Sequence, residues 1–156
     1  MNLSLISLEV CVLTLGLVVL VADLWLPPER KKLLGYAAVS GLAFLLIVNL
    51  SGYGSCTMPG EAFSGMFVQD ALSIFFKRFF LLAAILVILM IAEFSDQVAA
   101  GISEYYSLVL FALVGMLFAA SANSFALLFV SLELITVSFY VLTSFQRGRT
   151  ASLEGA

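Results

Sequence analysis

An all-α bundle of about five membrane-spanning helices is the fold class this sequence predicts, and three observations predict it. Of the 156 residues, 63% are hydrophobic and only 11% charged, where a soluble domain is nearer half apolar and about a quarter charged. Mean hydropathy is +1.16. The apolar residues also fall in continuous runs of about 20, the length of helix that crosses a hydrocarbon core. Runs that are continuous rather than alternating favour helices over the strands of a membrane barrel.

The first helix is expected over 3–25, its apolar stretch interrupted by Glu9. A signal peptide would carry positive residues ahead of its apolar core, but the first basic residue here is Arg30, so a retained helix is expected. Pro27 and Pro28 end it, since paired prolines cannot continue a helix. The second helix, 33–51, is uncharged, and residues up to 69, with Gly52, Gly54, Pro59 and Gly60, read as the longest loop. The third helix, 70–92, carries Lys77 and Arg78 about two turns from its start. The fourth, 104–122, is uncharged beyond Glu104. The fifth, 124–145, follows a turn at Asn123 and contains one charge, Glu133. Connections this short place consecutive helices side by side and antiparallel.

Charge sets an orientation and excludes several functions. Arg30, Lys31 and Lys32 follow the first helix and Arg147 and Arg149 follow the fifth, while the 51–69 loop has no basic residue. The positive-inside rule then predicts the N-terminus outside and the C-terminus cytoplasmic. A net charge of -3, with no larger basic cluster, predicts no nucleic-acid partner. The chain has no histidine and no CxxC pair; Cys11 lies in the first apolar run and Cys56 in the long loop. With so few ligands for zinc, iron–sulfur or haem, no metal, cofactor or redox centre is expected on this chain.

Glu133 is the principal candidate site residue. It falls within roughly 2 Å of the middle of the fifth helix at 1.5 Å per residue, where a charge costs about 2.5–3.5 kcal/mol to insert. A carboxyl withdrawn from water exchanges its proton when a cation or water approaches, which is what a proton relay requires. Thr136 and Tyr140 follow at helical spacing, then Thr143 or Ser144, and are candidates to line a file of water. Against these stand structural readings: Glu133 as a helix-locking hydrogen bonder, and the hydroxyls bonded to their own backbone. Lys77 is a second candidate for proton translocation, with Asp70, a heptad earlier, expected to neutralise it. Arg78 is expected to snorkel to the interface; Glu9, Asp23 and Glu104 read as interfacial. The small pairs Ala37/Gly41 and Gly115/Ala119 are expected packing seams.

Several stretches resemble a known family: Glu104 to Asn123, Leu-Phe-Val-Ser-Leu-Glu133-Leu-Ile, Ser138-Phe-Tyr-Val-Leu142, Phe67-Val-Gln-Asp70-Ala-Leu-Ser-Ile-Phe-Phe-Lys77 and Ala-Ser-Leu-Glu154-Gly-Ala. They are similar to the antiporter-like membrane subunits of proton-pumping NADH:quinone oxidoreductase, respiratory complex I, and most similar to subunit N. The match is strongest over 104–156. The resemblance implies that Glu133 is the glutamate of the fifth helix that pairs with a lysine on a later, broken helix. That lysine belongs to the part of the family fold, about fourteen helices with inverted repeats, that lies outside 1–156. The chain is thus expected to be a single transmembrane domain, the N-terminal portion of a longer subunit in the cell inner (plasma) membrane. The implied function is proton translocation coupled to electron transfer from NADH to quinone. The implied partners are the other membrane-arm subunits, the remainder of the same subunit and the lipid bilayer. NADH, FMN, iron–sulfur clusters and quinone are expected in other subunits. A cation/proton antiporter or membrane-bound hydrogenase subunit would share the surroundings of Glu133. A small structural or assembly membrane protein is the alternative from another class.

Overall fold

The computed structural model describes residues 3–26, 31–52, 59–93 and 102–144. A 3-10 turn, Leu3–Ile6, leads into α1 (Ser7–Asp23), followed by α2 (Lys31–Leu50), the strands β1 (Gly60–Ala62) and β2 (Phe67–Gln69), α3 (Ala71–Glu93), α4 (Ile102–Ala120) and α5 (Phe125–Ser144). Five helices among the described residues are long and apolar enough to cross a membrane. Their bounds fall within a few residues of those the hydropathy runs predict.

α4 is the hub. It packs against α1, α2, α3 and α5, whereas α5 packs chiefly on α4. Half of α4's spanning segment is buried inside the bundle, against 17% of α5's. Between membrane helices there is little hydrophobic driving force, so close approach at small residues does the work. A Cβ on Gly35 of α2 would lie 2.7 Å from the Tyr106 ring, and one on Gly115 of α4 would lie 2.7 Å from Ile135 Cγ1 of α5. Of the expected seams, Gly115 and Gly41 do lie against neighbouring helices, the latter against Leu15 of α1. Ala37 does not: it is exposed, and the packed stripe of α2 runs through Gly35, Ala38 and Leu42. One residue along a helix is a rotation of about 100°, which turns Ala37 off that stripe.

The stretch expected as a plain loop folds into a hairpin. β1 and β2 pair antiparallel, with Ala62 opposite Phe67. Phe63, Ser64 and Gly65 all take left-handed φ, at 53°, 56° and 84°. The first two are conformations that residues with a Cβ adopt at a cost, and tertiary bonds hold them. Asn123 donates from its backbone N–H to the Met66 carbonyl and from Nδ2 to the Gly65 carbonyl, and the Val68 N–H donates to the Ser121 carbonyl. Ala62 and Phe67 bury against Leu5 and Ile6. The hairpin therefore closes the end of the bundle where α1, α3 and α5 begin.

At the opposite end Asp23 of α1 pairs with Lys31 of α2 at 2.7 Å. The Tyr105 hydroxyl donates to the Leu142 carbonyl at 3.2 Å, joining α4 to α5. Arg30, Cys56, Arg147, Arg149 and the tail 145–156, on which parts of the orientation and the resemblance rest, lie outside the described residues.

Candidate intramembrane charged sites

α3 opens on a reciprocal cap. Asp70 Oδ1 accepts from the Ser73 N–H at 2.7 Å, and Ser73 Oγ accepts from the Asp70 N–H at 2.9 Å. The free N–H groups of a helix start are what such a box satisfies. The Ser73 hydrogen bonds hold the Asp70 carboxyl below the usual carboxylate range. Asp70 is thus occupied at the cap and is not the countercharge of Lys77, contrary to the expectation from their spacing.

The countercharge is Glu9. Lys77 Nζ lies 2.7 Å from Glu9 Oε1, and both side chains are essentially inaccessible. Glu9 is therefore not interfacial: α1 carries it inward against α3. Lys77 also donates to Gln69 Oε1 of β2 at 3.2 Å and sits 4.8 Å from the centre of the Phe67 ring. Both Glu9 carboxylate oxygens are buried, and beyond the ion pair with Lys77 neither has a hydrogen-bond partner among the described residues. No spacing rule points to a pair contributed by α1 and α3. The legible signal was only that α1 carried Glu9, and α3 Lys77 and Arg78, within about two turns of the same end of the bundle.

Arg78 turns the other way. Its Nε donates to Asn49 Oδ1 and its Nη2 to the Asn49 carbonyl, both at 2.8 Å, closing the C-terminal end of α2. The expected structural role holds, but through a helix end rather than a snorkel.

Glu133 is exposed, on the side of α5 away from α4. Ser131, Ser138 and Leu142 form the buried side. Thr136 and Tyr140 are exposed as well, so the three residues share one outward face. The Thr136 hydroxyl donates to the Glu133 carbonyl at 3.0 Å, and the Thr143 hydroxyl to the Tyr140 carbonyl at 3.0 Å. Among the described residues nothing pairs with the Glu133 carboxylate, and no contact brings it to Lys77. Beside this face an apolar groove of about 290 Å³ lies between α3 and α5, lined by Phe76, Phe80, Met116 and Ile135.

The fold and these charges define a polytopic membrane helix bundle with ionisable side chains at membrane depth. Over nearly its whole length the chain is similar to curated subunit N proteins of NADH-quinone oxidoreductases and of an F(420)H(2) dehydrogenase. It is 36% identical over 153 residues to the F(420)H(2) dehydrogenase subunit N of Methanosarcina mazei, covering 95% of this chain and 31% of that one. It is 37% identical over 158 residues to the NADH-quinone oxidoreductase subunit N of Heliobacterium modesticaldum, covering 99% and 32%. It is 38% identical over 151 residues to the NADH-quinone oxidoreductase subunit N 2 of Rhizobium meliloti, covering 95% and 30%. The chain spans about a third of the length of these relatives. No family model matches it.

Proposed function

We propose that the chain forms part of a membrane-arm subunit of proton-pumping NADH:quinone oxidoreductase, and that Glu133 is its intramembrane proton carrier. The observation that carries this is the position of Glu133: near the middle of α5, on a face that the described helices leave uncovered. A carboxylate facing lipid there would be costly. The relatives are about three times as long, which leaves length for further helices that would cover the face and bring a cation to Glu133. In this reading a lysine on a later helix alternately stabilises and releases the carboxylate. Thr136 and Tyr140 line the adjoining water path with side-chain oxygens, and Lys77 belongs to a separate charged site. The hairpin end faces outward across the cell inner (plasma) membrane, and the Lys31 end faces the cytoplasm. Other membrane-arm subunits flank the chain, and NADH, FMN, iron–sulfur clusters and quinone reside elsewhere in the complex.

A second reading is favoured by the Methanosarcina relative, whose name carries a different electron donor. The same membrane part then serves an F420H2 dehydrogenase, with proton translocation unchanged and only the donor-binding subunits differing.

Glu133→Gln in the whole complex tests both. Glutamine keeps the shape and hydrogen bonds and removes the titration. Proton translocation per electron pair is expected to drop severalfold while the complex still assembles. Unchanged translocation would leave Glu133 a helix-locking group and transfer the chain to the structural class.

A further inference from the structure

We propose that the groove between α3 and α5 is the seat of a further membrane-spanning helix of the same subunit, contributed from beyond residue 156. Three helices line it: Phe76 and Phe80 come from α3, Met116, Ala119 and Ala120 from α4, and Ile135 from α5. On α3 the two rings are one turn apart and stack at 5.9 Å, which makes a continuous wall. Met116, Ala119 and Ala120 fall on one face of α4. The two alanines end at Cβ and let the backbone of a neighbour come close. None of the six side chains is charged or donates a hydrogen bond, so the face that enters the groove is apolar.

Two observations favour a helix over lipid as the occupant. The first is the number of surfaces on offer. Packing is what drives helices together inside a bilayer, and a helix laid in this groove packs against three others at once. A second apolar furrow, about 400 Å³ along the outer face of α1, is lined by Thr14, Leu17, Val18, Val21, Ala22 and Trp25 and offers one helix alone. Its Thr14 hydroxyl is spent on the Val10 carbonyl at 2.7 Å, and Trp25, exposed just past the helix end, suits the membrane interface. That furrow is the lipid-facing counterpart. The second observation is length. The chain matches 31% and 32% of two relatives, so about two thirds of each has no counterpart in 1–156. Meanwhile α5 is held chiefly by α4, and a helix in the groove supports it from another side. Ile135 and Glu133 are about 200° apart around α5, so the helix seated at Ile135 is not the one proposed to bring a cation to Glu133. This inference rests on the reading that the chain belongs to a longer membrane subunit, and not on the role of Glu133.

Photocrosslinking of the full-length subunit in its assembled complex tests it. Diazirine analogues of methionine and leucine, close in size to the native side chains, replace Met116 in the groove and Leu17 in the furrow. The linked products are mapped by mass spectrometry. The Met116 analogue is expected to link mainly to peptides of the same subunit from beyond residue 156, leaving the subunit's mass on a denaturing gel unchanged. The Leu17 analogue is expected to link mainly to phospholipid. Lipid adducts as abundant at Met116 as at Leu17 would overturn the proposal. So would linkage of Met116 to a different subunit, seen as a heavier band, or links confined to residues within 1–156. The two readings fail separately. Unchanged proton translocation in Glu133→Gln with the Met116 linkage intact removes only the role of Glu133, whereas lost translocation with lipid at Met116 removes only this occupant.

Discussion

At the scale of single residues, what matters is whether a charge in the bilayer has a partner and where that partner comes from. Glu9 and Lys77 hold each other in a seam inaccessible to solvent, and removing either partner leaves the other buried and uncompensated. Glu9→Met or Lys77→Met alone is therefore expected to cost about 3–5 kcal/mol, and the double substitution less than either, because both desolvation penalties go together. A thermodynamic cycle of reversible unfolding in bilayer-like micelles measures this. Strictly additive losses would mean the pair carries no coupling. Glu133 presents the complementary case, a carboxylate near the middle of its helix that nothing pairs with among the described residues. Its place near the middle of α5 could be read from the sequence, because that follows from counting residues along one helix. The Glu9–Lys77 pairing could not, because it joins two helices that are not consecutive in the chain.

Individual elements are legible to the degree that their causes are local. Every spanning helix was predicted from its apolar run, since length and hydropathy belong to the segment itself. The hairpin was not. Its strands have three residues each, too short for alternation to register, and its left-handed turn is held by Asn123 from beyond α4. The start of α3 shows how one residue can be assigned the wrong partner. Asp70 and Lys77 are a heptad apart, but capping the first turn claims the Asp70 carboxylate. Because the Ser73 hydrogen bonds lower the folded-state affinity of Asp70 for protons, the cap's contribution is complete above the unfolded-chain value. It is lost as pH falls through the folded one. Amide hydrogen exchange in the first turn of α3 should accelerate on acidification through the carboxylate range, and Asp70→Ala should abolish that dependence. An unaltered profile in the variant would assign the effect to another group.

For the whole molecule, the arrangement around α4 explains why one side of the bundle is finished and the other is not. α1, α2 and α3 gather on α4 and bury the Glu9–Lys77 pair between them, while α5 hangs from α4 at the Gly115 seam with Glu133 facing away. The uncovered face of α5 and a match to only about a third of the relatives' length fit the same reading, in which further helices close that side. The proposed orientation is checked by thiol labelling in sealed vesicles, with Cys11 and Cys56 replaced by serine. Glu61→Cys, exposed on the hairpin, is expected to react with an impermeant reagent from outside. Lys32→Cys, exposed at the start of α2, should react only after permeabilisation. The reverse pattern would invert the assignment.

The sequence by itself determined that there are five apolar helices of spanning length, roughly where each begins and ends, and that Glu133 lies near the middle of the fifth. Each of these depends on hydropathy and helical rise within one segment. The tertiary structure alone decided which way Glu133 faces, that Glu9 rather than Asp70 meets Lys77, and that the long loop is a hairpin. Those outcomes depend on the rotation of helices about their axes and on contacts between segments far apart in the chain, which no local pattern encodes.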